Sequence, residues 1–152
     1  MKLYTLYREQ KLSIPLEQAW DYFSSPANLK KITPPYMRFE IISEFQNEKM
    51  FAGMLIEYIV RPLFGIPLRW VTEITHVKEK EYFIDEQRTG PYKMWHHLHQ
   101  FRIENGELIM NDKVNYALPF GFLGRFAHFL FVKKRIEEIF NYRKEILDKL
   151  FP

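Results

Sequence analysis

The spacing of apolar residues divides the chain into an N-terminal strand, two short helices, a run of strands and one long helix. The segment from Leu3 to Ile14 mixes apolar and polar residues at short period, which predicts a strand. Pro15 opens the segment PLEQAWDYFSS, where a proline at the first helical position and apolar residues on one side indicate a helix. The segment ANLKK predicts a second short helix, which ends before Pro34 and Pro35 because two successive prolines cannot continue a helix.

The pattern changes twice in the rest of the chain. Between Arg38 and Leu118 short alternating segments are separated by QNEK, PLFGIP, KEKE, TGPY and ENGE, which predicts a meander of about six antiparallel strands. After Pro119 apolar residues recur at steps of three and four, which predicts one long amphipathic helix with a break near Gly121 and Gly124. The apolar positions of this helix are Phe122, Phe126, Phe129, Leu130, Ile136, Ile139, Phe140, Ile146, Leu147 and Leu150.

These elements predict an α+β fold in a single domain over residues 1–152. A curved antiparallel sheet of seven strands would wrap around the long C-terminal helix and bury its apolar stripe. If the sheet curls around the helix without closing against it, a cavity remains between them.

Three of the five histidines lie in the segment GPYKMWHHLHQF. Alternate residues of a strand point to opposite faces, so His97 and His99 share a face with Trp95 and Phe101, and His96 points the other way. The residues aligned with His97 and His99 on neighbouring strands are apolar or acidic, whereas the other face carries Lys, Arg and Asn. We therefore expect His97 and His99 inside the fold and His96 outside.

Turn chemistry sets the register of the neighbouring strands. Asn105-Gly106 is a strong signal for a two-residue hairpin turn. It predicts the opposed pairs Glu104–Glu107, Phe101–Met110, His99–Asp112, His97–Val114 and Trp95–Tyr116. A hairpin through TGPY predicts Gln87–Trp95, Asp85–His97 and Phe83–His99. A two-residue turn at Glu79-Lys80 would extend the inner face to Trp70, Thr72, Ile74 and His76.

Asp85, His97, His99 and Asp112 therefore form a predicted polar cluster within an aromatic wall. Buried charges need partners, so the cluster suits a hydrogen-bonded girdle that orients a bound ligand. The same residues suit catalysis, with His97 or His99 as a general base oriented by Asp85 or Asp112. Two histidines at i and i+2 beside carboxylates also suit zinc or non-haem iron, although no further inner ligand is evident and we expect no metal.

The composition limits the kinds of site and partner that the chain can have. The absence of cysteine excludes disulfides, thiolate catalysis and cysteine-based metal sites. A net charge of +3 with dispersed basic residues does not favour nucleic acid as a partner. We expect neither a signal peptide nor a transmembrane segment, and hence a cytoplasmic protein.

Two apolar segments suit surface contacts as well as packing. The segment RFAHFLFVKKR could touch a membrane surface, but in this architecture its apolar side is needed to cover the sheet. The loop at 62–68, within RPLFGIPLRW, could form a cavity lip or a partner site, or pack as an ordinary hairpin. A protein-interaction module using this loop would need a dimer or a partner complex.

Five segments carry a family resemblance: IPLEQAWDYFSSPANLKKITPP, GIPLRWVTEIT, FIDEQRTGPYKMWHHLHQF, DKVNYALPFG and IEEIFNYRKEIL. Their sequences and order resemble the bacterial ligand-binding branch of the START and polyketide-cyclase-like superfamily, the SRPBCC proteins. The resemblance covers essentially the whole chain. It implies a helix-grip fold with a deep hydrophobic cavity between the sheet and the C-terminal helix. The superfamily includes carriers, receptors, cyclases and oxygenase domains and has no universal catalytic residue. Its iron-binding members use ligands on other elements, which have no match here.

Together these observations predict a carrier or sensor, monomeric or homodimeric, that binds a small hydrophobic molecule of lipid, polyketide or aromatic type without a cofactor. A cyclase, dehydratase or isomerase using the His–Asp pairs is the alternative. The expected ligand contacts are Trp70, Thr72, Ile74, Phe83, Asp85, Gln87, Trp95, His97, His99, Asp112, Val114, Tyr116 and Phe126.

Overall fold

Seven strands form one antiparallel sheet in the computed structural model, which describes residues 1–44 and 48–152. The strands are β1 (Tyr4–Leu12), β2 (Glu40–Ile41), β3 (Leu55–Val60), β4 (Leu68–Lys78), β5 (Tyr82–Thr89), β6 (Met94–Glu104) and β7 (Glu107–Ala117). Their order across the sheet is β1-β7-β6-β5-β4-β3-β2. The predicted seven-stranded α+β fold is therefore confirmed. The predicted break at QNEK lies partly outside the described residues.

The two short helices after β1 are also present. Helix α1 (Leu16–Phe23) follows Pro15 and buries Ala19, Trp20 and Phe23. Its Trp20 ring packs edge-on against Phe101, with 5.7 Å between ring centroids. A 3-10 helix (Pro26–Ile32) and a single 3-10 turn (Pro35–Met37) follow. Ala19, Trp20, Phe23 and Ile32 pack with Leu147 in one buried cluster at the end of the molecule near the β6–β7 hairpin.

The C-terminal helix runs from Gly121 to Leu150 and lies against the concave face of the sheet. It consists of α2 (Gly121–Ala127), one π-helical segment (His128–Val132) and α3 (Lys133–Leu150), all joined by right-handed helical backbone. The predicted break near Gly124 is wrong, because the helix passes through this residue. Its irregularity falls at the π segment instead, where one extra residue per turn rotates the faces of the helix.

The β6–β7 register agrees with the prediction at all five predicted pairs, from Glu104–Glu107 to Trp95–Tyr116. Asn105 and Gly106 both have positive φ, as the predicted two-residue turn requires. On the other side of β6, Asp85 lies opposite His97 and Phe83 opposite His99, also as predicted.

The β4–β5 turn differs from the prediction. β4 ends at Lys78 and β5 begins at Tyr82, which leaves three residues in the turn. The ladder shifts by one residue between Ile74 and His76. This bulge compensates for the extra turn residue and keeps Ile74 opposite Asp85, but it turns His76 outward. Val77 takes the inward position and packs on the core in place of His76.

The N-terminal part of the C-terminal helix does not cover the sheet as expected. Ile136, Phe140 and Leu147 of α3 are buried. By contrast, the predicted stripe residues Phe122, Phe126, Phe129 and Leu130 are exposed, as is Leu150 at the helix end. Packing against the sheet therefore accounts for only the C-terminal part of the apolar stripe.

Candidate functional site

His97 and His99 project from β6 into the interior, where both are almost fully buried. His96 lies on the opposite face of the same strand, half-buried. The two inner imidazole rings lie side by side, with 3.7 Å between their centroids, and Phe83 stacks on His99 at 4.1 Å. The strand alternation therefore placed the three histidines correctly.

The shortest hydrogen bonds in the polar cluster run diagonally between strands. His97 Nε2 lies 2.9 Å from Asp112 Oδ1, and His99 Nε2 lies 2.7 Å from Asp85 Oδ2. The directly opposed pairs are longer, at 3.3 Å for His97 Nδ1 to Asp85 Oδ2 and 3.2 Å for His99 Nδ1 to Asp112 Oδ1. Each imidazole therefore lies between the two carboxylates, and the four side chains form one compact cluster rather than two separate pairs.

A fifth member, Arg143 of α3, completes the cluster and was not predicted. Its guanidinium Nη2 lies 3.4 Å from Asp112 Oδ1 and 3.4 Å from His99 Nδ1. The side chain is only 8% exposed. The sequence did hold a signal, since Arg143 falls between Phe140 and Leu147 at helical spacing on the buried stripe.

The surroundings shift the pKa values of the two histidines in opposite directions. Burial alone would lower the pKa of His97, but the charge of Asp85 and the hydrogen bonds that His97 donates to both aspartates outweigh it and raise this pKa. Burial and the adjacent charge of His97 lower the pKa of His99. A protonated His97 donates from both nitrogens, and a neutral His99 donates from Nε2 to Asp85 and accepts from Arg143 at Nδ1.

Both carboxylates remain ionised in this environment. Burial opposes ionisation of Asp85, but the charge and hydrogen bond of His97, together with the hydrogen bond of His99, hold its pKa well below the ordinary value. Burial likewise opposes ionisation of Asp112, and the Arg143 charge and the two histidines hold its pKa low. Two carboxylates against one guanidinium and one imidazolium give a neutral cluster, which explains how these charges tolerate burial.

A cavity of about 170 Å³ lies between the sheet, the short helices and the C-terminal helix. Its wall is mainly apolar, with the polar cluster at one side. Eight of the predicted ligand contacts line it: Trp70, Thr72, Ile74, Phe83, Asp85, Trp95, His97 and His99. Sheet and helix thus enclose a space with both apolar and polar surfaces.

The other five predicted contacts lie away from this cavity. Asp112 is behind the histidines. Gln87 receives a hydrogen bond from Tyr92 N at 3.1 Å and donates one to Tyr92 O at 2.6 Å, which holds the β5–β6 loop. Val114 and Tyr116 pack beneath the helix beside the cavity. Phe126 is 61% exposed, because the inward positions of its helical segment are occupied by Gly124 and His128.

Several lining residues were missed by sequence reasoning. Ile56, Tyr58 and Val60 of β3 line the cavity, but LIEYIV is apolar at five of its six positions, so its pattern does not show which face points inward. Further contributions come from Ile136, Ile139, Phe140 and Arg143 of α3, and from the segment 29–39, at Leu29, Ile32, Thr33, Met37 and Phe39. The contacts from this segment depend on tertiary packing and leave no periodic signal.

Two buried donors in the wall have no hydrogen-bond partner within residues 1–44 and 48–152. They are Trp70 Nε1 and Arg143 Nε. Tyr58, by contrast, is satisfied by Thr72 Oγ1 at 3.1 Å. Because an unpaired buried donor is costly, these two nitrogens suit acceptor atoms of a bound molecule.

The geometry gives little support to the catalytic hypothesis. A general base needs one free imidazole nitrogen within reach of substrate. In His97 both nitrogens face carboxylates, and in His99 the second nitrogen faces Asp112 and Arg143. Each ring is held in place by charged neighbours on both sides.

Asp85, His97 and His99 also offer one ligand atom each within 4.8 Å of one another, as a metal site would require. Metal binding would require His97 to lose its proton next to Asp85. It would also place a cation near the guanidinium of Arg143. The expectation of no metal stays a prediction.

The cavity opens at the end of the sheet where β3 and β5 end. Its partly exposed lining residues there include Pro62 after β3, Pro91 and Tyr92 after β5, and Arg135 on α3. The loop at 62–68 therefore contributes a cavity lip through Pro62. Phe64 of the same loop is 89% exposed and does not pack in the hairpin.

Comparison with known proteins finds similarity in structure alone. No protein-family model matches the chain, and no curated protein matches its sequence. Ginseng major latex-like protein 151 from Panax ginseng superposes with a TM-score of 0.71 at 10% identity, covering 99% of this chain and 98% of that protein. Protein CV1439 from Chromobacterium violaceum gives a TM-score of 0.71 at 12% identity, over 97% and 96% of the two chains. Ara h 8.0201 gives a TM-score of 0.61 at 12% identity, over 97% of this chain and 99% of that protein.

At these identities the similarity establishes the helix-grip fold and nothing about activity. Within residues 1–44 and 48–152, no helix has both the length and the apolar character needed to cross a bilayer.

Proposed function

We propose that this chain is a single-domain member of the SRPBCC ligand-binding branch, and that it carries or senses a small hydrophobic molecule with a polar acceptor group. The observation that carries the proposal is a mainly apolar cavity lined by Trp70 and Arg143, whose buried nitrogens Trp70 Nε1 and Arg143 Nε have no hydrogen-bond partner among the described residues. An apolar body with a few converging polar groups is the usual character of small-molecule sites.

The cavity volume limits the size of the ligand. An apolar cavity of about 150 Å³ holds one benzene ring, whereas drug-sized ligands need about 300 Å³ or more. The volume of about 170 Å³ therefore suits a ligand body of about one ring. A longer lipid would require the loops or the helix to move apart.

The polar cluster acts as a rigid wall in this proposal. Its charges are balanced among Asp85, Asp112, His97 and Arg143, so it needs no counterion from the ligand. A neutral acceptor such as a carbonyl or ether oxygen, placed at Trp70 Nε1 or Arg143 Nε, would satisfy a donor without disturbing this balance.

Native mass spectrometry of the purified protein tests the proposal first, and a co-purified small molecule is the expected result. Titration with one-ring ketones, followed by tryptophan fluorescence, gives the affinity. Trp70→Phe should weaken binding about fivefold, the usual value of one hydrogen bond. Trp20→Phe is the matched control, because Trp20 is buried in α1 and does not line the cavity. Equal loss in both variants, or no binding by the wild-type protein, would refute the proposal.

A further inference from the structure

The first half of the C-terminal helix has its apolar side outward. Gly124 and His128 face the protein, and His128 is held there by Tyr116 Oη at 2.9 Å and by stacking on Tyr4 at 3.5 Å. The large apolar residues face solvent: Phe120, Phe122, Leu123, Phe126, Phe129 and Leu130, here called the aromatic patch. A helix that buries glycine and histidine while exposing phenylalanines is the inverse of a core-packing helix.

A basic rim surrounds the aromatic patch. Residues 113–136 include five Lys and Arg and no Asp or Glu. One surface groove brings Lys2, Lys93 and Arg125 together around Phe120. Lys133 and Lys134 follow directly after the patch and are exposed. Among the described residues, Arg135 pairs with Glu138. No ion pair with a carboxylate is formed there by the five cations of the rim, which are Lys2, Lys93, Arg125, Lys133 and Lys134.

The aromatic patch lies at the same end of the molecule as the cavity mouth. β7 ends at Ala117, beside the start of β6 and the ends of β5 and β3. The β3–β4 loop at this end adds the exposed side chains of Phe64 and Ile66. Two separate apolar elements therefore project beside the opening of the cavity.

We propose that the aromatic patch and its basic rim dock the protein on an anionic lipid bilayer surface. Aromatic side chains enter the interfacial layer, and the surrounding cations lie against the headgroups. A second copy of the chain fits less well, because a two-fold interface would bring the cations of both basic rims together. Docking does not depend on the proposed ligand, but it would place the cavity mouth near the membrane.

Vesicle flotation with the full chain tests this proposal. Binding is expected to vesicles of phosphatidylglycerol and phosphatidylcholine in equal parts, to be far weaker to phosphatidylcholine alone, and to fall with added salt. Equal binding to both vesicle types, or no binding to either, would overturn it. A stable dimer in sedimentation velocity, with its vesicle binding lost, would overturn it in favour of self-association.

Variants locate the docking surface. Phe122→Ser with Phe126→Ser should weaken binding by about tenfold or more, since each exposed phenylalanine contributes apolar burial. Phe51→Ser is the matched control, because Phe51 is 51% exposed at the opposite end of the sheet. Loss of binding in the control equal to that in the patch variant would overturn the assignment.

Charge variants test the rim. Lys133→Gln with Lys134→Gln should weaken binding about fivefold per cation at low salt. Lys149→Gln, at the far end of the helix, should leave it unchanged. Circular dichroism checks that all variants remain folded. An unchanged affinity in the Lys133 and Lys134 variant would remove the electrostatic part of the proposal and overturn it.

Discussion

Replacement of Arg143 by methionine tests whether the buried cluster depends on this helix residue. The guanidinium lies 3.4 Å from Asp112 Oδ1, and both side chains are nearly buried. At that separation the attraction is about 5 kcal/mol for an effective dielectric constant of about 20, before the cost of desolvation. Removing one partner of a buried ion pair usually costs about 3–5 kcal/mol.

We expect Arg143→Met to lower the free energy of unfolding by about 3 kcal/mol, at the lower end of that range. Asp112 keeps its contacts with His97 and His99, which compensate in part. Methionine retains most of the side-chain volume, so the loss of stability measures mainly the removal of the charge and less a change in packing. For a chain of this length the melting temperature should fall by about 6–12 °C.

Urea denaturation of a double-mutant cycle measures the coupling energy between Arg143 and Asp112. Asp112→Asn removes the charge that Arg143 balances, so the double variant should be less destabilised than the sum of the single variants by about 2 kcal/mol. Lys144→Met is the control, because Lys144 is exposed and pairs with Asp148 at 2.8 Å, and such surface pairs contribute about 0.5 kcal/mol or less. A loss below about 1 kcal/mol in Arg143→Met, or a coupling near zero, would refute the buried pair.

Further predictions concern titration and backbone geometry. The pKa of His97 is raised above 6.5, so its stabilising contribution is complete below pH 6.5 and is lost as the pH rises through its folded pKa. The pKa of His99 is lowered below 6.5, so its contribution is complete above pH 6.5 and is lost as the pH falls through its folded pKa. NMR titration of the rings should show one histidine on each side of the ordinary value, and two ordinary values would contradict the charge assignment. Gly124→Ala should lower the free energy of unfolding by about 2 kcal/mol, because the added methyl would overlap the backbone carbonyl oxygen of Pro119. An unchanged urea midpoint would contradict this packing. Asn105→Val should cost about 1–2 kcal/mol because Asn105 and Gly106 have positive φ, whereas Asn105→Gly should be nearly neutral in the same assay.

The sequence by itself determined the faces and the register of the central strands. Alternation placed His97 and His99 on the inner face, and Asn105-Gly106 set their partners on β7. Both inferences succeed because side-chain direction and turn geometry are local properties of the backbone. Even the β4–β5 error stayed local, since the bulge restored the register at Ile74.

Only the tertiary structure decided which side chains meet across elements. The diagonal bonds of His97 and His99 depend on the twist of the sheet and the reach of each ring, which alternation does not describe. Arg143 joins the cluster because the C-terminal helix crosses the sheet next to His99 and Asp112. The same placement leaves Phe126 outside, since periodicity defines an apolar stripe but not which part of it the sheet covers.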